Sequence, residues 1–147
     1  MIQAGFTEYF EKLLGFEKPT KVAIAVSGGA DSVALLNLVS SWAANSFRQL
    51  VIFTVDHNLR AESKAELKYV EQLSRTLGHE FYPLSWNCGD DKVALQERAR
   101  AGRYSLMSAK CHELGITTLL TAHHFDDIIE TYLMRKSKKS GTLGLSS

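Results

Sequence analysis

Apolar positions along the chain follow two different periods. Val22-Ala23-Ile24-Ala25-Val26, Leu50-Val51-Ile52-Phe53-Thr54-Val55 and Thr117-Thr118-Leu119-Leu120-Thr121-Ala122 are short, nearly continuous apolar runs rich in β-branched residues. Such runs mark strands buried on both faces of a parallel sheet. Glu80-Phe81-Tyr82-Pro83-Leu84-Ser85-Trp86 reads as a further strand, and Pro83, which cannot donate to a ladder, assigns it to an edge. Between the runs the apolar spacing becomes helical. Phe6, Tyr9, Phe10, Leu13 and Leu14 form a stripe on a helix over 7–14 that packs on the sheet, and Pro19 separates it from the first strand. Val33, Leu36, Leu38 and Val39 predict a helix ending near Ala44. A capping box at Ser63-Lys64-Ala65-Glu66 opens a helix over 63–77, closed by Gly78, and a long helix runs from Val93 to Leu114. Strand and helix in alternation predict an α/β fold, an open sheet of at least four parallel strands with helices on both faces.

The polar residues gather where strands end. The first strand stops at Ser27-Gly28-Gly29-Ala30-Asp31-Ser32 and a helix follows at once, with Asp31 or Ser32 suited to cap it. A strand, a glycine turn and a helix aim unpaired N–H groups and the positive end of the helix dipole at one point, where an anion fits best. The chain has no G-x-x-x-x-G-K-[ST], and no G-x-G-x-x-G follows a strand, so the usual triphosphatase and dinucleotide loops are excluded. Asp56-His57-Asn58-Leu59-Arg60 ends the second strand, and His123-His124-Phe125-Asp126-Asp127-Ile128-Ile129-Glu130-Thr131 ends the last. Ligands of open α/β sheets sit at those carboxyl ends. A helix starting near Asp126 would put Asp127 and Glu130 on one face, a carboxylate pair suited to an ammonium ion or to a magnesium-bound phosphate. On the long helix Arg98 and Arg100 lie about 200° apart, whereas Arg100 and Arg103 share a face and could grip a phosphate or a carboxylate. Gly102 weakens that helix by about 1 kcal/mol relative to alanine, which a close approach by another chain or a ligand would explain.

Composition narrows the classes. A chain of 147 residues is one domain that buries about 70% of its unfolded surface. It is 45% hydrophobic and 22% charged, with no apolar run near the ~18 residues of a membrane span. The acidic residues in the first eighteen positions argue against a signal peptide, and the expectation is a cytoplasmic protein. Cys88 and Cys111 form no C-x-x-C, leaving neither a disulfide framework nor a metal-site spacing. Asp90-Asp91 reads as surface carboxylates ahead of a helix. The net charge of +1 gives no overall field for nucleic acid. Arg135, Lys136, Lys138 and Lys139, before a Gly/Ser-rich end, suit either RNA phosphates or solvent.

S-G-G-x-D-S resembles the pyrophosphate loop of the PP-loop ATP pyrophosphatases, which split ATP into AMP and pyrophosphate while adenylating a substrate. With V-D-H-x-L-R, L-Q-E-x-A-R-x-x-R-Y, T-A-H-H-x-D-D-x-x-E-T and S-G-x-x-G-L in that order, the chain from about Lys21 to its end is similar to the catalytic domain of tRNA(Ile)-lysidine synthetases. That resemblance implies an adenine nucleotide alpha hydrolase-like, Rossmann-like fold with strand order 3-2-1-4 and the site at the switch between strands 1 and 4. It implies ATP as co-substrate with Mg²⁺, adenylation of the wobble cytidine of an isoleucine tRNA with a CAU anticodon, and displacement of AMP by the ε-amine of L-lysine. It places ATP on Ser27, Gly28, Gly29, Ala30, Asp31 and Ser32, with Val55, Asp56, Ala122 and His123 bordering the adenosine. Asp31 becomes the first candidate to hold Mg²⁺, and Asp127 and Glu130 the candidates for the lysine amine. Arg100 and Arg103 are assigned to the α-phosphate or the lysine carboxylate without a choice between them, and Asp31, Ser32, Arg100, Arg103 and Asp127 to catalysis. A homodimer is compatible with it. The family continues beyond S-G-x-x-G-L into tRNA-gripping domains, so the expectation is one catalytic domain over 1–147, cut short at its C-terminal end, with the strand that follows the Asp126 helix missing. Gly102 stands where a larger residue is expected. The alternatives are a PP-loop tRNA thiolase, which relies on C-x-x-C pairs that this chain lacks, and a non-catalytic ATP-binding module.

Overall fold

The computed structural model describes residues 2–16, 18–58 and 61–122, together with the backbone of 129–132. In chain order the elements are α1 (Ile2–Leu14), β1 (Lys21–Ala25), α2 (Ala30–Asn45), β2 (Gln49–Asp56), α3 (Glu62–Leu77), β3 (Glu80–Ser85), α4 (Leu95–Leu114), β4 (Leu119–Ala122) and β5 (Ile129–Tyr132). They build one sheet in the order β3-β2-β1-β4-β5. The first four strands are parallel, as the apolar runs and the 3-2-1-4 order require, and β3 with its Pro83 lies at the edge. β5 departs from expectation. Ile129–Tyr132 is a strand antiparallel to β4, with Glu130 opposite Thr121, where the sequence reading placed a helix from Asp126 and no further strand.

Strand alternation divides the core into two layers. Val22, Ile24, Val26, Leu50, Ile52 and Leu120 point to the face covered by α2 and α3. Ala23, Val51, Phe53 and Leu119 point to the other, where Met107 and Cys111 of α4 are buried. β1, β2 and β4 are therefore apolar on both sides, which is why each reads as a run and not as an alternation. α1 joins the first layer through Phe10 and Leu14, with α2 as a main partner. Phe10 meets Trp42 edge-on at 4.6 Å, the Trp42 indole N–H donates to Glu11 Oε1 at 2.7 Å, and the Arg48 guanidinium stands 4.8 Å from the Trp42 ring.

Two local features carry testable consequences. Phe47 follows the end of α2 with φ of 56°, in the helix-terminating position that glycine prefers, and Arg48 N–H closes the turn on Ala43 O at 2.9 Å. Its side chain is 97% exposed, so it gains nothing for the ~1–2 kcal/mol of left-handed strain. Phe47→Gly is expected to raise the unfolding free energy by about 0.5–1 kcal/mol, read as a higher urea midpoint at unchanged slope. His79, just after the left-handed Gly78, shares a 2.7 Å hydrogen bond with Ser40 Oγ. Burial lowers its pKa from 6.5. An unfolded chain titrates this imidazole near 6.5, so below that pH it binds a proton that the folded chain resists. Stability present above pH 6.5 is then lost as pH falls toward the folded value. His79→Gln is expected to flatten the fall in melting temperature between pH 7 and 5.5.

Candidate functional site

Val26 continues β1 by donating its N–H to Phe53 O at 2.8 Å and accepting the Thr54 hydroxyl on its carbonyl at 2.8 Å. The chain therefore leaves the sheet between the carboxyl ends of β2 and β4. Gly28 then turns with φ of 93°, a conformation that costs a residue with a Cβ about 1–2 kcal/mol, and α3 passes close by, so that a Cβ there would meet Glu66 and Val70 at ordinary contact distance. The loop is braced from inside. Ser32, 4% exposed, donates its hydroxyl to Gly29 O at 3.0 Å and lies 3.2 Å from both the Ser27 N–H that it accepts and the Ser27 hydroxyl. The N-cap is Gly29, without a side-chain bond, which corrects the expectation that Asp31 or Ser32 caps the helix. Ser32 is a brace inside the first turn. Asp31 is the acidic residue of that turn, where the dipole favours its charge.

At the end of β2, Val55 and Asp56 pair with Leu84 and Ser85. Asn58 takes a left-handed turn (φ 53°), and its N–H donates to Asp56 Oδ1 at 2.8 Å. That bond, followed by the Ser63 hydroxyl and the charges of Lys64 and His57, outweighs burial and holds Asp56 below the carboxylate value of 3.8. Ser63 is therefore turned to Asp56. The N-cap of α3 is Ala61, with no side-chain cap, so the capping box read from Ser63 and Glu66 does not form.

α4 returns from the carboxyl to the amino edge of the sheet, which leaves its first half toward the carboxyl edge. Arg100 and Arg103 converge on one ring, with guanidinium carbons 5.9 and 5.2 Å from the centre of Tyr104. The Arg103 Nε is buried without a hydrogen-bond partner among the described residues. Arg98, on another side, closes the loop after β3 by donating to Cys88 O at 2.9 Å and Asp91 O at 2.6 Å. What approaches Gly102 is Trp86, the residue after β3, whose pyrrole edge would overlap any Cβ at that position. Sequence reasoning placed Trp86 at the end of the edge strand and gave it no functional role, because its seat lies sixteen residues further along the chain.

Ala122 closes β4 opposite Ile129. His123 and Asp127 lie outside the described residues. Glu130 is in β5, so its pairing with Asp127 on a helix face is withdrawn. Among the described residues no three His, Cys, Asp or Glu side chains converge on a metal position. Asp31 at the loop is a donor set that suits Mg²⁺ carried by phosphates, since Mg²⁺ usually keeps its waters and takes one or two carboxylates. Burial pushes the Cys111 thiol up to about 12, which makes it inert, and Cys88 stands without a neighbouring cysteine. No helix among the described residues is long and apolar enough to cross a membrane.

A family model described as the PP-loop domain matches residues 2–147. The tRNA(Ile)-lysidine synthase of Rickettsia bellii (strain OSU 85-389) is 47% identical over 147 residues, all of this chain and 34% of the relative. Those of Rickettsia akari and Rickettsia rickettsii (strain Sheila Smith) are 46% identical over the same 147 residues, which are 34% and 31% of their lengths. The chain thus spans about a third of the length of the curated relatives it matches. Among solved structures, the U34-tRNA thiolase of Methanococcus maripaludis superposes with a TM-score of 0.71 at 19% identity, covering 86% of this chain and 48% of that one. The NH3-dependent NAD synthetase of Campylobacter jejuni superposes at 0.61 and 16% identity, covering 82% and 53%. These two likenesses are likenesses of fold. With a strand, a Gly28–Gly29 turn and a helix at the centre of a 3-2-1-4 sheet, and a family match over nearly its whole length, the chain belongs to the PP-loop domain family.

Proposed function

We propose that residues 1–147 form one ATP-using domain that makes lysidine in tRNA. The observation that carries this reading is 46–47% identity to tRNA(Ile)-lysidine synthases over all 147 residues, loop and arginine helix included. The wobble cytidine of a CAU-anticodon isoleucine tRNA attacks the α-phosphorus of ATP through its carbonyl oxygen, and pyrophosphate leaves. The ε-amine of L-lysine then attacks C2 of the cytosine, and AMP leaves with that oxygen. Ser27, Gly28, Gly29, Ala30 and the first turn of α2 hold the departing pyrophosphate, where fixed N–H groups meet charge that grows as the bond breaks. Asp31 would hold Mg²⁺, which when bound would neutralise charge on the phosphates. Val55, Asp56, Ala122 and His123 border the adenosine, and Asp127 and Glu130, on the family resemblance alone and without the withdrawn helix face, hold the lysine amine. Arg100 and Arg103, gathered at Tyr104, take the α-phosphate or the lysine carboxylate through planar guanidinium forks. The setting is the cytoplasm, and a homodimer is compatible with it. A thiolase is disfavoured by the isolated Cys88 and the buried Cys111.

The test is incorporation of labelled lysine into a CAU-anticodon tRNA(Ile) transcript by the 147-residue chain, with ATP and Mg²⁺. The expected result is lysine-specific incorporation with one AMP formed per lysine. ATP binding without AMP under every combination of substrates would replace this reading with that of a nucleotide-binding module.

A further inference from the structure

Beyond the loop and the arginines, the carboxyl edge of the sheet carries a second built feature. Trp86 extends the β2–β3 ladder by donating its N–H to Asp56 O at 2.9 Å. Its carbonyl accepts the Asn58 side-chain amide at 3.2 Å, and the same amide reaches Ser85 Oγ at 2.9 Å. The indole is half-buried. It rests on the bare backbone of Gly102, and the His57 ring stands beside it at 6.0 Å and 69°. Arg98 fixes the loop that follows. The backbone before the ring, the seat beneath it and the loop after it are therefore all held. A glycine in mid-helix is unfavourable, and here its effect is to keep the large flat side chain at the rim next to Asp56.

We propose that Trp86 is a stacking wall for a nucleobase, with Gly102 as its seat and His57 as its edge support. This rests on the reading of the domain as one that brings ATP and a tRNA cytidine together. A planar, partly exposed indole fixed at the ligand-binding edge is a platform for a π face, and stacking of this kind strengthens binding by about 5- to 150-fold per base. Adenine from ATP and the pyrimidine from tRNA share that chemistry, and the test separates them.

The chain has two tryptophans. Trp42 is 1% exposed and bonded to Glu11, so ligand-dependent emission belongs to Trp86. The 147-residue chain is titrated with ATP and, separately, with a CAU-anticodon stem-loop RNA, with equilibrium dialysis of each labelled ligand alongside. The expected result is saturable quenching that is absent in Trp86→Phe, and a Kd raised at least about fivefold in Trp86→Ala. Quenching by ATP assigns adenine, and quenching by the RNA alone assigns the pyrimidine. Gly102→Ala, which favours helix while unseating the indole, is expected to weaken the same ligand. Binding of both ligands without a change in emission, or with unaltered Kd in Trp86→Ala and Gly102→Ala, would overturn the proposal. If dialysis finds no binding of either ligand to the unaltered chain, the ATP-and-tRNA reading falls, and this one with it.

Discussion

Asp31→Ala is expected to reduce pyrophosphate release by at least about 100-fold while the chain keeps its fold. A carboxylate in the first turn of α2 would repel a triphosphate seated on the same loop unless a cation lay between them. On the proposed function Asp31 would hold that cation, and its removal would leave the growing charge on the pyrophosphate unneutralised. The effect on stability is much smaller. Losing one favourable charge at a helix N-terminus costs about 0.3–1 kcal/mol, which for a chain of this size is a shift of no more than about 4 °C in Tm. Asp31→Asn, which keeps the shape and loses the charge, is expected to behave like the alanine variant. Release at the original rate in either variant would remove Asp31 from the mechanism.

The largest expected effect on stability is at the joint between α1 and the rest of the domain. Trp42→Ala removes a side chain that is 1% exposed, the edge-on partner of Phe10, the donor to Glu11 and the ring beneath Arg48. Truncating a buried tryptophan costs about 3–5 kcal/mol, against a total stability of about 5–15 kcal/mol for a domain. Urea denaturation is expected to show a midpoint lowered by at least about a fifth, with early proteolysis between α1 and β1. A loss below about 1 kcal/mol would mean that α1 unfolds apart from the sheet and adds little to its stability.

The parts of this molecule that are legible in its sequence are those decided by neighbours along the chain. The apolar runs of β1, β2 and β4 and the edge position of β3 follow from side-chain period and from one proline. The site loop is legible for the same reason, because strand, glycines and helix are contiguous. The misreadings arise where a distant group competes for a local one. Ser63 has the right spacing to cap α3, yet its hydroxyl goes to Asp56. Asp31 and Ser32 are good capping residues, yet the Gly28–Gly29 turn starts the helix earlier, at Ala30. Gly102 shows only a weakness until Trp86 is placed on it. Ile129-Glu130-Thr131-Tyr132 carries three strand formers in four residues, and the acidic pair before it, read as a helix start, hid that signal.

The position of β1 has a consequence for how the molecule assembles. It is the first strand in the chain and the middle of the parallel sheet, with Ala23 paired to Val51 on one side and to Leu119, about a hundred residues further on, at the other. One edge of the glycine loop can form as soon as β2 exists, but the other waits for β4. Closing so long a segment is an entropic cost met before its contacts return anything. During synthesis the glycine loop therefore gains its second flank only once β4 has been made, and until then the open edge of β1 is a template for mispairing.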